Sequence, residues 1–450
     1  MITVVVPFAI LLAIILINKI PYIGGNIQAA LLITGFVALL MGGIYNPIDW
    51  LLAWIDGIDR IAWVLALAIL GSIYAETQVR TGTMDTVMNL LRSKFGHSAR
   101  GMAICIIIAL VLAGSLLGDS VAAATVIGVL IIPSLAELGL SAVQISAIIL
   151  MGAELGSIMP PVTQAVFLSA SLVGVEPDGV VNVAYFTVGA AVVLVCLYVC
   201  FAFIKSNSLP QDLIPKESFG QILKKEWKNL IPLMILIVLI VLRTGFKIDL
   251  ITMVLGPVLT ALSGIKILKG LSNLIVMSIL IVTIISFLNP KVYKNAGDVL
   301  KTGLKNVKSS VTVSCACGLM LGAFYSAGQI EVVREFALQL DANVLKIGGA
   351  VALALLGMLT GSQSTAQNTI FSFFGPALVE IGITPVHAAI AGSHIAVAGQ
   401  VMPPACIIAF VVCGLTGGML NQKVDPVKTM VLSCPMAFYF LIMGTVFMFI

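Results

Sequence analysis

The chain has 450 residues, 60% of them hydrophobic and only 10% charged, with a mean hydropathy of +1.14 and a net charge of +4. A soluble domain carries roughly 25% charged residues, so the composition excludes an ordinary soluble domain and points to an all-α polytopic membrane protein. The small positive excess does not suggest nucleic acid; basic residues near segment ends are expected to set orientation instead.

Apolar runs at Thr3–Ile17, Ile27–Met41 and Ile61–Tyr74 predict the first crossings. Nothing basic precedes the first run, which is therefore expected to stay rather than be cleaved as a leader. Pro47–Arg60 carries Asp56, Asp59 and Arg60 and reads as an interfacial segment. Glu76–Arg100 is polar and basic, and its middle, Met84–Leu91, predicts an amphipathic helix along the surface. Met102–Leu117 and Val121–Leu135 flank the short turn Gly118-Asp119-Ser120. Each run is near or below the ~20 residues of a full span. The pair reads as a re-entrant hairpin over about 101–136 in preference to two crossings. Val143–Leu172 is one helix broken at Met159-Pro160-Pro161, because proline removes a donor and collides with the preceding turn. Glu176-Pro177-Asp178 follows, then Val180–Ile204 crosses back. A charged linker over 205–229, with five lysines, divides the chain into halves 1–204 and 230–450.

The second half runs through Leu230–Leu242, Leu250–Leu262, Leu271–Phe287, a basic stretch Lys291–Lys308 and Ser310–Tyr325. Glu331–Leu340 is the amphipathic counterpart of Met84–Leu91. A second hairpin, about 344–380, turns at Gly361, and a second broken helix, 386–415, is interrupted at Met402-Pro403-Pro404 before a last crossing to Ile450. Gly361, Pro376, Glu380, Gly382, Gly399, Met402 and Pro403 follow Gly118, Pro133, Glu137, Gly139, Gly156, Met159 and Pro160 at one constant offset in residue number. That gapless alignment, mostly of helix punctuation, predicts an internal duplication. Arg80, Arg92, Lys94 and Arg100 place the first hairpin base in the cytoplasm with the linker, Glu176 and Asp178 outside, and the mixed set Glu331, Arg334, Glu335 and Asp341 outside. The repeats are then inverted. Three apolar runs between the linker and Lys291–Lys308 are one too many for both basic stretches to be inside. The offset pairs Thr3–Ile17 with Phe246–Thr260 and leaves Leu230–Leu242 as the extra piece.

In lipid every freed backbone N–H and C=O must find a partner, so broken helices survive only where they are buried or line a wet cavity. Paired breaks in two halves of a chain mark a transport site. Helix N-termini carry about half a positive charge each and suit a carboxylate. Freed carbonyls with Ser, Thr, Asn or Asp oxygens suit a hard cation such as Na⁺. The expected Na⁺ ligands are Gly118, Asp119, Ser120, Thr125 and Pro160 at the first tip and Gly361, Ser362, Asn368 and Pro403 at the second. The expected substrate contacts are Ser120, Pro161, Thr163, Ser364, Thr365 and Pro404. Asp119, a carboxylate at membrane depth, and Glu154, just ahead of a break, are candidates to carry a proton. The competing reading is that these small polar residues only let helices pack closely.

Other features read more plainly. Glu137 and Glu380 repeat at the hairpin exits and belong at the surface. His387 and His394, on one helical face, suit either a proton relay or, preferably, polar packing between helices. The eight cysteines lie nearly all in apolar runs as small hydrophobes, and Cys315-Ala316-Cys317 lacks zinc-knuckle spacing. No Gly-x-Ser-x-Gly elbow, phosphate loop or His-Glu-x-x-His motif occurs, which argues against an enzyme, and no cofactor is expected beyond a coupling ion.

Gly118 to Gly128, Pro133, Gly156 to Pro161 and Gly399 to Pro404 resemble the large, DctM-like permease subunit of tripartite ATP-independent periplasmic (TRAP) transporters, within the ion-transporter superfamily. The resemblance covers most of the chain. It implies Na⁺-coupled uptake of small organic anions such as C4-dicarboxylates by an elevator motion across the inner membrane. It also implies a small membrane subunit and a soluble substrate-binding protein as partners. A cation/proton antiporter of the same superfamily is the alternative, motivated by Asp119, Glu154 and the lack of an arginine near either tip.

Overall fold

Most helices of this chain begin on a side-chain cap. Asn26, Asn46, Ser98, Ser141, Thr163, Ser218, Asp249, Asn273, Asn289, Asp341, Ser362, Thr384 and Asp425 each accept from an amide of the following first turn. Such caps satisfy donors that a helix start otherwise leaves unpaired, a need that is strongest beside hydrocarbon.

The computed structural model describes residues 2–17, 19–118, 120–205, 217–246, 248–339 and 341–450. Among them there is no strand. The first half comprises α1 (Ile2–Leu16), α2 (Ile27–Met41), α3 (Pro47–Arg60), α4 (Ala62–Thr81), α5 (Thr83–Phe95), α6 (Ala99–Leu117), α7 (Ser120–Glu137), α8 (Ala142–Ile158), α9 (Gln164–Leu172) and α10 (Pro177–Tyr198). A short π turn, Val199–Phe203, extends α10. Next come α11 (Phe219–Glu226), α12 (Ile231–Phe246), α13 (Leu250–Ser263), α14 (Leu274–Phe287), α15 (Pro290–Tyr293), α16 (Ala296–Ser326), α17 (Gln329–Gln339) and α18 (Ala342–Thr360). Finally α19 (Gln363–Ala366) runs through a π turn, Gln367–Phe371, into α20 (Ser372–Glu380), followed by α21 (Pro385–Val401), α22 (Ile407–Leu420) and α23 (Pro426–Val446). By length and apolar character, α4, α6, α10 with its π turn, α18 and α23 each suffice to cross a bilayer.

Elements recur at the spacing that relates Gly361 to Gly118. At that offset α18 begins and ends in register with α6, the α19–α20 segment with α7, and α21 with α8, while α22 begins in register with α9. The predicted run Leu230–Leu242 is helix α12, packed on α14. The basic stretch Lys291–Lys308 is not a loop: from Ala296 it is the first half of α16. Lys301, Lys305 and Lys308 are spaced to stay on one exposed helical face.

The amphipathic segment predicted at Met84–Leu91 is α5, which packs on α6 and buries Met84 and Met88 in the main core. The linker residues 206–216 lie outside the described residues. Its later part, α11, docks on α5. Ile222 packs with Leu90 and Leu230, and the Thr86 hydroxyl donates to Glu226 at 2.8 Å and accepts from Asn229 at 3.0 Å. This later part of the linker is therefore held against the base of the first hairpin. α3 packs along α16 where Gly57, Gly318 and Gly322 let the two backbones touch. On the outer side of α3, Lys266 and Lys269 pair with Asp56 and Asp59 at 2.5 and 2.6 Å.

Candidate functional site

Both hairpins turn on a left-handed glycine. Gly118 ends α6 at φ 63° and its N–H bonds the Gly114 carbonyl; Gly361 ends α18 at φ 62° and its N–H bonds the Gly357 carbonyl. Only glycine adopts that conformation without penalty. One turn earlier, each hairpin arm touches the helix that breaks. A Cβ on Gly114 would lie 2.6 Å from Gly156 Cα, and one on Gly357 would lie 3.0 Å from Gly399 Cα. These two contacts stand at the same offset in residue number, so each tip is held against its own break by glycine-to-glycine backbone contact.

The breaks span 159–163 between α8 and α9 and 402–406 between α21 and α22. Both Pro-Pro bonds, Pro160-Pro161 and Pro403-Pro404, are cis. At the first break the backbone groups released by proline are partly claimed by α6. Ser115 Oγ donates to the Pro160 carbonyl at 2.7 Å, and the Val162 N–H donates to the Ser115 carbonyl at 3.2 Å. The Thr163 hydroxyl is buried and caps α9 through the Val166 N–H at 3.4 Å.

The two tips meet at one cavity of about 560 Å³. Gly118, Ser120, Val121 and Ala122 line it from the first tip, and Thr360 to Thr365 from the second. Gln164 and Ile407 enter from the starts of α9 and α22, and Gln400 from α21. Four helix beginnings, at Ser120, Gln164, Gln363 and Ile407, therefore face one space. None of the described lining residues is charged. A small cavity with helix N-termini at its wall, and no cationic side chain among its described lining residues, suits an anion held by backbone and hydroxyl donors.

The second tip is internally bonded. Ser362 Oγ caps the Thr365 N–H at 3.3 Å and lies 3.0 Å from the Thr365 hydroxyl and 3.2 Å from that of Ser364. Behind it, the π turn holds polar atoms without partners: both side-chain amide atoms of Asn368, the Thr369 hydroxyl and Gln367 Oε1 are buried and unbonded. Gln367 Nε2 instead donates to the Ala165 carbonyl at 2.8 Å and to Ser169 Oγ at 3.0 Å, tying the second hairpin to α9 of the first half. Neutral oxygens of this kind fit Na⁺. No cluster of three or more His, Cys, Asp or Glu exists among the described residues.

Of the residues expected from sequence, Gly118, Ser120, Gly361, Ser362, Ser364 and Thr365 line the cavity. Pro160, Pro161, Thr163, Asn368, Pro403 and Pro404 are not among its lining residues. Asp119 and the side chain of Thr125 lie outside the described residues. Glu154 is fully buried in α8, and its Oε1 accepts from Gln400 Nε2 at 2.5 Å. Gln400, Gln363, Gln164 and Asn306 line the cavity without having been singled out by motif or spacing. An isolated amide in an apolar helix next to a break, such as Gln400, is the signal that could have found one of them. His394 sits fully buried between α10 and α21, 2.8 Å from Thr187 Oγ1 and 3.1 Å from Ser393 Oγ, while His387 packs on Phe447. The two histidines make separate contacts, His394 with Thr187 and Ser393 and His387 with Phe447. Glu137 is exposed and Glu380 half-buried at the hairpin exits. All eight cysteines are free thiols, buried or half-buried.

Broken helices that meet at one polar cavity in a helical, multi-pass chain are an arrangement suited to a membrane transporter. The sequence matches the family described as "Tripartite ATP-independent periplasmic transporter, DctM component" over residues 2–450, and the chain belongs to that family. It is thus the large membrane component of a secondary transporter of organic acids, a family that implies association with a small membrane subunit and a substrate-binding protein. No curated protein matches it. Among solved structures it is similar to the YdaH transporter of Alcanivorax borkumensis, a structure described as revealing an unusual topology. The identity is 16%, the coverage 88% of this chain and 86% of that one, and the TM-score 0.59, a likeness of fold alone.

Proposed function

We propose that the chain carries out Na⁺-coupled uptake of a small organic anion, such as a C4-dicarboxylate, across the inner membrane. Residues 1–204 and 230–450 act as inverted repeats joined by a cytoplasmic linker, 205–229. Each contributes a re-entrant hairpin and a broken helix, and these move together as an elevator between the two faces. The convergence of both tips and four helix starts on one cavity supports this reading most directly. Ser120, Ser364 and Thr365 would contact the acid, with Thr163, Pro161 and Pro404 shaping the breaks beside it. Na⁺ would take oxygens from Gly118, Asp119, Ser120, Thr125 and Pro160 at one tip and Gly361, Ser362, Asn368 and Pro403 at the other.

Uptake of labelled organic acids into proteoliposomes holding the chain, its small subunit and its binding protein tests the reading. An inward Na⁺ gradient should raise the initial rate about tenfold or more, the effect of ~1.4 kcal/mol of coupling. Equal rates with and without the gradient across a panel of organic acids would contradict it. A second reading, cation/proton antiport, rests on the fully buried Glu154. It predicts that added Na⁺ moves protons in everted vesicles, reported by a pH-sensitive dye, and that Asp119→Asn abolishes the response. No proton movement would remove it.

A further inference from the structure

One chain of hydrogen bonds crosses between the halves at the cavity wall. Glu154, on the last turn but one of α8, accepts from Gln400 Nε2 at 2.5 Å. Gln400 Oε1 in turn accepts from the backbone N–H of Gln363 at 2.6 Å. Gln363 is the first residue of the second tip's outgoing helix. A peptide N–H can only donate, so it fixes which end of the Gln400 amide faces the tip. The amide's NH₂ must then point at Glu154, which accepts in either protonation state. Ser157 Oγ, 3.4 Å from the other carboxyl oxygen, steadies the carboxyl group. Glu154 is 0% exposed and Gln400 5%, so the bond between them is shielded from bulk water, while the Gln400–Gln363 bond lies at the cavity wall.

The link is one-sided. The repeat equivalent of Gln400 is Ser157, whose hydroxyl donates to the carbonyl of Glu154 on its own helix at 2.9 Å. We propose that Glu154 and Gln400 are a positioning pair for the second tip: the broken helix of the first half holds the Gln363 amide of the second, fixing the tip's height over the cavity and withholding that N–H from an anion. The proposal rests on the reading that this cavity is the transport site. It places neither residue on the substrate. Its consequence is that tip opening, not only binding, depends on a residue of the opposite repeat.

The test uses the full chain with the eight native cysteines replaced and one cysteine introduced by Ser364→Cys. Maleimide labelling in membranes reports how far the tip opens, and Na⁺-driven uptake by the same Glu154 and Gln400 variants in the chain with native Ser364 gives KM and Vmax. Glu154→Ala leaves the Gln400 NH₂ unpaired, and Gln400→Glu sets two carboxyl groups against each other. The exchanged pair, Glu154→Gln with Gln400→Glu, rebuilds both bonds: the amide at 154 donates, and the carboxylate at 400 accepts from it and from Gln363. Labelling should quicken about fivefold in each single variant and return to within about twofold in the exchanged pair, the non-additivity expected of residues in direct contact. The KM for Na⁺ should rise in the single variants and recover in the exchanged pair. Should Glu154→Ala fail to fold, Gln400→Asn, one methylene shorter and neutral, breaks both bonds of the link and should quicken labelling likewise. Unchanged labelling in the single variants, or an exchanged pair as fast as they are, would overturn the proposal. Labelling does not require transport. Absent Na⁺-driven uptake with this labelling order would therefore sink the transport reading and leave the pair standing.

Discussion

Asn368 holds both ends of its side-chain amide, fully buried, without a protein partner. An unsatisfied buried polar group costs about 1–3 kcal/mol, and in the proposed function Na⁺ supplies the missing partner. Asn368→Ala should therefore raise the melting temperature in detergent by a few degrees while weakening Na⁺ dependence of uptake about tenfold, the trade-off expected of a strained site. A lower melting temperature with unchanged Na⁺ dependence would mark Asn368 as ordinary packing. Asn368 stands among the sequence candidates only as one of the small polar residues beside the second tip. Glu154 was legible as a buried acid, but its partner was not. Gln400 lies 246 residues away, and no short-range pattern joins a carboxyl group to an amide on another helix.

At the scale of elements, the two tips are alike in backbone and unlike in room. A Cβ at Gly361 would fall 2.0 Å from the Ala405 carbonyl oxygen, whereas one at Gly118 would first meet the end of the Val162 side chain at 3.1 Å. Both substitutions incur the left-handed penalty of about 1–2 kcal/mol, but only the first must also push backbone aside. Gly361→Ala should lower the melting temperature markedly more than Gly118→Ala, as thermal unfolding in detergent will read; equal losses would contradict the difference in packing. Helix ends, glycine turns and proline breaks were readable because each is a local event. The first half of α16 was not, since spaced lysines look the same on a loop and on an exposed helical face. The length of α6 and α18 adds a finer point. At 19 residues each can span a bilayer, so re-entrance depends on how the tips sit in the membrane rather than on segment length.

For the whole molecule, the constant offset between the halves announces that each has a tip and a break, but not which tip faces which break. The fold answers by crossing the halves. Gln367 of the second hairpin bonds α9 of the first half, and Gln400 of the second broken helix bonds Glu154 of the first. Such pairings depend on how the two halves turn toward each other, which no single-chain periodicity encodes. They also make the cavity a shared one, so neither half should bind substrate by itself. The most direct measurement is protection of single cysteines placed by Ser120→Cys and, separately, Ser364→Cys in a background lacking the native cysteines. If both tips build one site, Na⁺ with the transported acid will slow labelling at both positions, with the same half-maximal Na⁺ concentration. Protection at one tip without the other, or at two distinct concentrations, would contradict a single shared site.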